Sequence, residues 1–483
     1  MKRAVLISMV LLATLACGQN NDKPAITIYN GNFAVVRQNV HLNLDAGTTR
    51  FTFADVTASL EPESVILRDP QNPLQVLEQN YRNDPVSQDL LLSFFEGKTL
   101  DFVETEPDGT KKTLTGKVVR SGHMPNGQNP LAPIIEVDGK LRFSLPGEPM
   151  FPALGGDMIL KPALSWLLRS ATAGPSDAEL SYITSGMTWK ADYNIVAPEA
   201  EKAGGDSVDV IGWITMTNST GKLFEGARIK LMAGDVHRVQ PPPPPQEPCT
   251  TCEVVEVAAT ALPVSEKSFD EFHLYTLDNL TTLHDQETKQ VEFVRASGVQ
   301  TKRTYIYDAY TEGIPLASSP DVDQSSNLEN MNKKVAVYQE FKDSKGNHLG
   351  IALPAGRVRF YRREEGGMLQ FTGENTIDHT PKDETVRFLT GYSFDLVGER
   401  RQTNFNMNED KHWINESFEI KLRNHKKTPV AITAVEHLYR WNNWRIISSS
   451  QTFKKKDAQT IEFSALVPAD GERVVTYSVH FSW

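Results

Sequence analysis

The chain has 483 residues, and 50 Lys and Arg against 61 Asp and Glu give a formal net charge of −11. With 39% hydrophobic and 23% charged residues, it is neither a disordered sequence nor a multi-span membrane protein. Its interspersed acids and bases form no basic stretch for nucleic acid, and three cysteines are too few for a disulfide scaffold.

Met1, Lys2 and Arg3 make a short basic start, followed by an apolar stretch from Ala4 to Ala16. As a helix that stretch is about 20 Å long, short of the roughly 30 Å hydrocarbon core of a bilayer. It reads as a secretory signal peptide over 1–16. Thr14-Leu15-Ala16-Cys17-Gly18 then resembles the lipid-attachment box of bacterial lipoproteins, in which the cysteine is acylated and becomes the first mature residue. On that resemblance Cys17 is a membrane anchor, and 17–23 are anchor and tether. Gly18, rather than an acidic residue, follows the cysteine. By resemblance to Gram-negative sorting rules this implies the outer membrane, facing the periplasm or the cell surface. The alternative is plain secretion after Ala16 with Cys17 unmodified. No later apolar run is long enough to span a bilayer as a helix.

From residue 24 onward nearly every periodic segment repeats every two residues, the mark of strands with one buried face. Val40, Leu42 and Leu44 alternate with His41 and Asn43, and Asp45-Ala46-Gly47 turns the chain toward Phe51 and Phe53. Leu100 and Phe102 lead to a return strand at Val118, and Asp138-Gly139 between Ile135 and Phe143 is a hairpin dipeptide. These group as an N-terminal β domain over 24–150. Beyond the Pro- and Gly-containing stretch Pro146 to Gly156, Leu164, Leu167 and Leu168 stand at helical spacing and predict a turn or two of helix. Trp189, Ala191, Tyr193 and Ile195 then form one strand face, and Val208, Val210, Ile214 and Met216 another. They belong to a central β-sandwich over 157–310. Pro241 to Pro245 lack amide donors and cannot continue a central strand, so 240–267 is read as a loop carrying Cys249 and Cys252. The last unit, 333–483, is a C-terminal β-sandwich that closes on Val475, Tyr477, Val479, Phe481 and Trp483 along one face. No internal repeat stands out. The expected fold class is all-β: tandem antiparallel β-sandwiches with long loops and little helix.

Several segments in order match one pattern. They are Ile28-Tyr29-Asn30 with Ala34-Val35-Val36-Arg37, the run Leu180 to Trp189 with Asp192-Tyr193, Met216-Thr217-Asn218-Ser219-Thr220-Gly221, Leu231 to Val236, Leu353 to Val358, and Arg423-Asn424 with Lys426. Together they resemble the bacterial mucoidy-inhibitor-related proteins, whose C-terminal domain is of unknown function. The resemblance implies an extracytoplasmic, β-rich architecture and no particular activity or catalytic residue. The coiled coil of the longer relatives has no counterpart here, so its role is not carried over.

Cys249-Thr250-Thr251-Cys252 has three readings. A local disulfide suits an oxidising compartment. Zinc needs two further ligands, which only His237 and His273 folding back would supply. Thiol exchange needs the motif at a helix start. Asp235 with His237, and Asp378 with His379, pair an acid and an imidazole without any nucleophile elbow. Tyr439, Trp441 and Trp444 flank Asn442-Asn443, either as a stacking platform for a glycan or peptide or as core aromatics around a turn. Asp321-Val322-Asp323 starts like a calcium loop but lacks the Gly and Glu that such a loop requires, with Asn332 in the last position. No nucleophile motif, metal quartet or cofactor loop points to a reaction, a metal or a cofactor. The reading is a non-enzymatic binding or structural protein of the cell envelope, with an envelope protein or glycan as ligand. Two alternatives are an envelope hydrolase with scattered carboxylates and an assembly factor that adds client strands to its edge.

Overall fold

The computed structural model describes residues 23–71, 73–84, 87–106, 109–124, 131–152, 159–199, 206–234, 236–238, 264–310, 319–324 and 332–483. Strands make up 64% of it and helix 3%, so the chain is all-β, built as tandem sandwiches from five sheets. The signal segment, Cys17, Asp235, the proline run and Cys249 with Cys252 lie outside the described residues.

The chain builds one arrangement of strands twice. In the first half, Ala25–Tyr29 pairs parallel with Phe224–Ala233 and antiparallel with Phe33–Leu44. Phe33–Leu44 pairs with Gly174–Ser185, whose continuation Met187–Ala197 pairs with Ser207–Asn218, and that strand pairs with Glu287–Gln300. In the second half, Lys302–Asp308 pairs parallel with Val430–His437 and antiparallel with Lys334–Lys342. Lys334–Lys342 pairs with the long strand Thr385–Asn408, which pairs with Trp413–Asn424, which pairs with Gly471–Ser482. The order and sense of pairing are the same throughout. One difference is a kink. Gly186, at φ 86°, breaks the first half's long strand where it passes from one sheet to the other, whereas Thr385–Asn408 runs unbroken within a single nine-stranded sheet.

Each half has its own core. Ile28, Val36, Leu180, Trp189, Ile214, Ile229 and Leu231 belong to the first, and Ile432, Phe418, Ile420, Phe463, Tyr477 and Val479 to the second. All are at most 2% exposed. Alternation of apolar and polar residues along each strand puts these side chains on one face, which is why two-residue periodicity was the dominant signal.

The pairing redraws the expected boundaries. Ala25–Tyr29 and Phe33–Leu44 of the 24–150 unit hydrogen-bond to strands beyond residue 157, so that unit is not closed. Within it, a separate five-stranded sheet, Thr99–Thr105, Lys111–Arg120, Ile134–Val137, Lys140–Arg142 and Glu148–Met150, folds on its own small core of Leu100, Phe102, Val118 and Ile135. It is inserted between Gln75–Arg82 and Ala163–Ser170, which pair with each other. Likewise Lys302–Asp308 pairs only within the second half, and the hairpin Gly356–Arg363 with Leu369–Ile377 pairs back onto the first. Gly356–Arg363 runs parallel to Met187–Ala197. The second half therefore completes a sheet of the first. Parallel pairing of this kind needs a long connection, so no local sequence feature announces it.

The segment expected as a short helix is the strand Ala163–Ser170. Leu164, Trp166 and Leu168 are at most 1% exposed. They alternate at a spacing of two, and the strand is flanked on both sides by partners. The strand pattern therefore prevails over the helical one that Leu164, Leu167 and Leu168 also satisfy.

Candidate functional site

Where the hairpin of the second half meets the first, the two sheets leave a cleft of about 280 Å³. Its walls follow from strand register. The first half contributes Ile195 paired with Phe360, and Ala197 paired with Arg362. The second contributes the row Arg303, Gln339 and Phe388, three residues directly opposite one another on adjacent strands. At the mouth stand Tyr361, Thr372 and Tyr392.

The polar wall is built around Asp206, whose side chain is fully buried. Its Oδ2 accepts from Arg303 Nη2 and from Arg362 Nη2, both at 2.6 Å. Arg362 Nη1 also donates to Pro198 O at 2.9 Å. Hydrogen bonds between Asp206 and Thr301 lock the segment in place, with Thr301 N donating to Asp206 O at 2.8 Å and Asp206 N donating to Thr301 Oγ1 at 3.1 Å. Burial holds the Arg303 guanidinium below its ordinary value, and the Arg362 charge adds to that against an opposing contribution from Tyr305. Both guanidiniums line the cleft, Arg303 at 6% and Arg362 at 25% side-chain exposure. None of its lining residues is an Asp or Glu. Gln339, 8% exposed, presents an Oε1 with no hydrogen-bond partner among the described residues.

A second cleft of about 240 Å³ is lined by Glu266, Tyr275, Phe293, Arg295 and His348, among others. Glu266 Oε1 lies 2.7 Å from His273 Nδ1, and it is the one carboxylate in that lining.

The second core holds a cluster of charges. Arg400 Nε donates to Glu436 Oε2 at 2.9 Å, and Tyr477 OH donates to the same oxygen at 2.5 Å. Arg440 Nη2 lies 2.8 Å from Glu416 Oε1, which also accepts from Gln402 Nε2 at 2.6 Å. Arg400, Arg440 and Glu436 are 0% exposed, and Glu416 1%. Burial raises the Glu416 carboxyl, against the pull of Arg440 and Arg400. The Arg400 guanidinium lies over the Phe418 ring, 3.8 Å from its centroid. The cluster is packed interior and opens onto neither cleft.

The residues singled out in the sequence fall elsewhere. Tyr439 is 8% exposed and packs its ring on Tyr310 and beside Arg440. Trp441 and Trp444 are partly buried against the second core, and Trp444 Nε1 donates to Ala458 O at 2.8 Å. With Tyr439 turned inward, the three do not share an exposed platform, and Asn442-Asn443 is the exposed turn between them. His237 is exposed, with its neighbour Arg238 ion-paired to Glu61. His379 Nδ1 accepts from Ala355 N, a loop contact. The carbonyls of Asp321 and Asp323 accept from Arg440 Nη1 at 3.1 and 2.8 Å, which gives that acidic segment a structural role. Among the described residues no cluster of three metal-ligating side chains occurs.

Arg303, Gln339 and Arg362 escape a reading of the sequence, because they come from three strands joined only by tertiary pairing. The available signal was weak: Arg362 follows the alternation Val358, Phe360 on a strand that reads as half-buried, and sits next to a further arginine. No protein-family model matches the chain, and no curated protein is similar to it.

Proposed function

We propose that the chain is an exported bacterial envelope protein, held at the outer membrane by an acylated Cys17, that acts by binding a ligand in the cleft between its two halves. The resemblance to the mucoidy-inhibitor-related proteins belongs to the same reading. The observation that carries it is the cleft itself, concave, apolar on its floor and cationic on one wall, as ligand sites commonly are.

Neither alternative finds comparable support. Hydrolysis of a glycoside by paired carboxyls needs two of them about 5–10 Å apart across a substrate. The larger cleft is lined by none and the smaller by Glu266 alone. Strand addition needs a long, uncharged edge. The outer strands of the terminal sheet are Phe453–Lys455, three residues with two lysines, and the six-residue Trp444–Ser449.

Native mass spectrometry of the chain extracted from membranes tests the reading. A discrete bound mass is expected on the wild type, absent from Arg362→Ala and from Thr372→Trp, which places a ring at the cleft mouth. The same bound mass on all three proteins would contradict it.

A further inference from the structure

We propose that the cleft captures the C-terminal end of an apolar peptide, with the terminal carboxylate at Arg362 and the last backbone N–H at Gln339. This rests on the cleft being the ligand site, and goes on to name what it takes.

The cleft presents two complementary demands. An arginine carries five N–H donors, and Arg362 spends one on Pro198 O and one on Asp206 Oδ2. Its others meet no acceptor among the described residues. That wall asks for an anionic acceptor, best a planar carboxylate that meets the guanidinium fork. Gln339 Oε1 asks for a donor. It is buried, has no partner among the described residues, and lies on the strand position directly opposite Arg303. A fatty acid satisfies the arginine but brings no donor. The last residue of a peptide carries both groups, its carboxylate and its own N–H, one Cα apart. Capture of a terminal carboxylate is an established mode of peptide recognition.

The remaining lining fits the rest of such a residue. Ile195, Val208, Phe360 and Phe388 give an apolar floor for its side chain. Phe371 and Tyr392, 56% and 54% exposed, stand at or beside the mouth. They offer aromatic surface to the residue before it. A volume of about 280 Å³ is at the small end for a ligand pocket and suits a chain end rather than a long insertion.

Saturation-transfer NMR on the full chain tests this with N-acetylated dipeptides ending in leucine, valine or phenylalanine, each as free acid and as amide, and with decanoate. The free acids are expected to bind, with affinity falling at least tenfold on amidation and at least tenfold in Arg362→Ala. Gln339→Leu is expected to weaken the acids several-fold while leaving decanoate unchanged. Thr372→Trp, altered at an exposed position, blocks the cleft at the cost of one hydrogen bond to Phe360 O and leaves Arg362 and Gln339 in place, so it controls for misfolding of Arg362→Ala. Equal binding of acid and amide overturns the proposal, as does failure of every dipeptide. Decanoate bound in a manner blocked by Thr372→Trp, with no dipeptide bound, overturns the peptide class and leaves the cleft as the ligand site. Dipeptide binding that survives both Arg362→Ala and Thr372→Trp overturns the proposal and the cleft assignment together.

Discussion

Asp343 carries a carboxyl into the first core's seam, where it is 0% exposed and accepts from Gly350 N at 2.7 Å. Burial pushes its pKa from an ordinary 3.8 up to about 6, with the Asp383 charge adding and the Gly350 and Ile351 amides opposing. The folded chain thus keeps a proton that the unfolded chain releases between those values. Its contribution to stability is full below pH 4 and is lost as pH rises to about 6, a change on the order of 1–3 kcal/mol. Urea unfolding across pH 4–7 should show wild type losing that much relative to Asp343→Asn, and a pH-independent difference would contradict the assignment. In the second core, the fully buried Arg400 and Glu436 neutralise each other. Glu436→Leu leaves a buried cation and should cost about 3–5 kcal/mol, most of it recovered in Arg400→Met/Glu436→Leu. Additive losses in the denaturation cycle would show that the two side chains are not coupled.

At the scale of elements, two turns repeat one device. Asn218 Nδ2 donates to Lys222 O at 2.9 Å and to His284 O at 2.9 Å, while its Oδ1 accepts from Thr220 N. Asn424 Nδ2 donates to Thr428 O at 2.8 Å and to Pro468 O at 2.9 Å, while its Oδ1 accepts from Lys426 N. Each asparagine ties the turn after its strand to the end of another strand. Asn218→Ala and Asn424→Ala should each cost about 1–3 kcal/mol by leaving buried carbonyls unpaired, and thermal unfolding of the two variants should give similar losses. The hairpin that clasps the halves depends on a close approach. At Gly373 any Cβ would collide with the Thr390 carbonyl, so Gly373→Ala should destabilise by about 1–3 kcal/mol and loosen the cleft beside it. Faster hydrogen exchange confined to Leu369–Ile377 and Thr385–Asn408 would confirm this. Hairpins were legible where turn chemistry is local: Asp138 and Gly139 adopt φ 48° and 71°, as the dipeptide requires. The strand Ala163–Ser170 was not, because a short apolar run fits both periods.

At the scale of the molecule, the fold class was readable because alternation is written along every strand, whereas the duplication was not. The two halves share pairing and the asparagine turns, yet the second core holds the buried pairs of Arg400 with Glu436 and Arg440 with Glu416, which the first does not repeat. Side-chain identity differs between the halves while the backbone pairing does not. Asn218 and Asn424 both fell within the segments that carried the family resemblance, though their equivalence appears only once the strands are paired. The cleft was invisible for the same reason as the clasp, since its residues converge through contacts between segments far apart in sequence. Lipid attachment is a prediction at this scale too: palmitate labelling and membrane association should both be lost in Cys17→Ser, and association that persists without label would remove the anchor from the account. The central claim, that the junction of the halves is a binding site, is tested most directly by a photoreactive side chain at Thr372 in growing cells. The account predicts a discrete adduct in the membrane fraction that disappears with Arg362→Ala. An adduct unchanged by that substitution, or none above that from a probe at the exposed position Lys411, would contradict it.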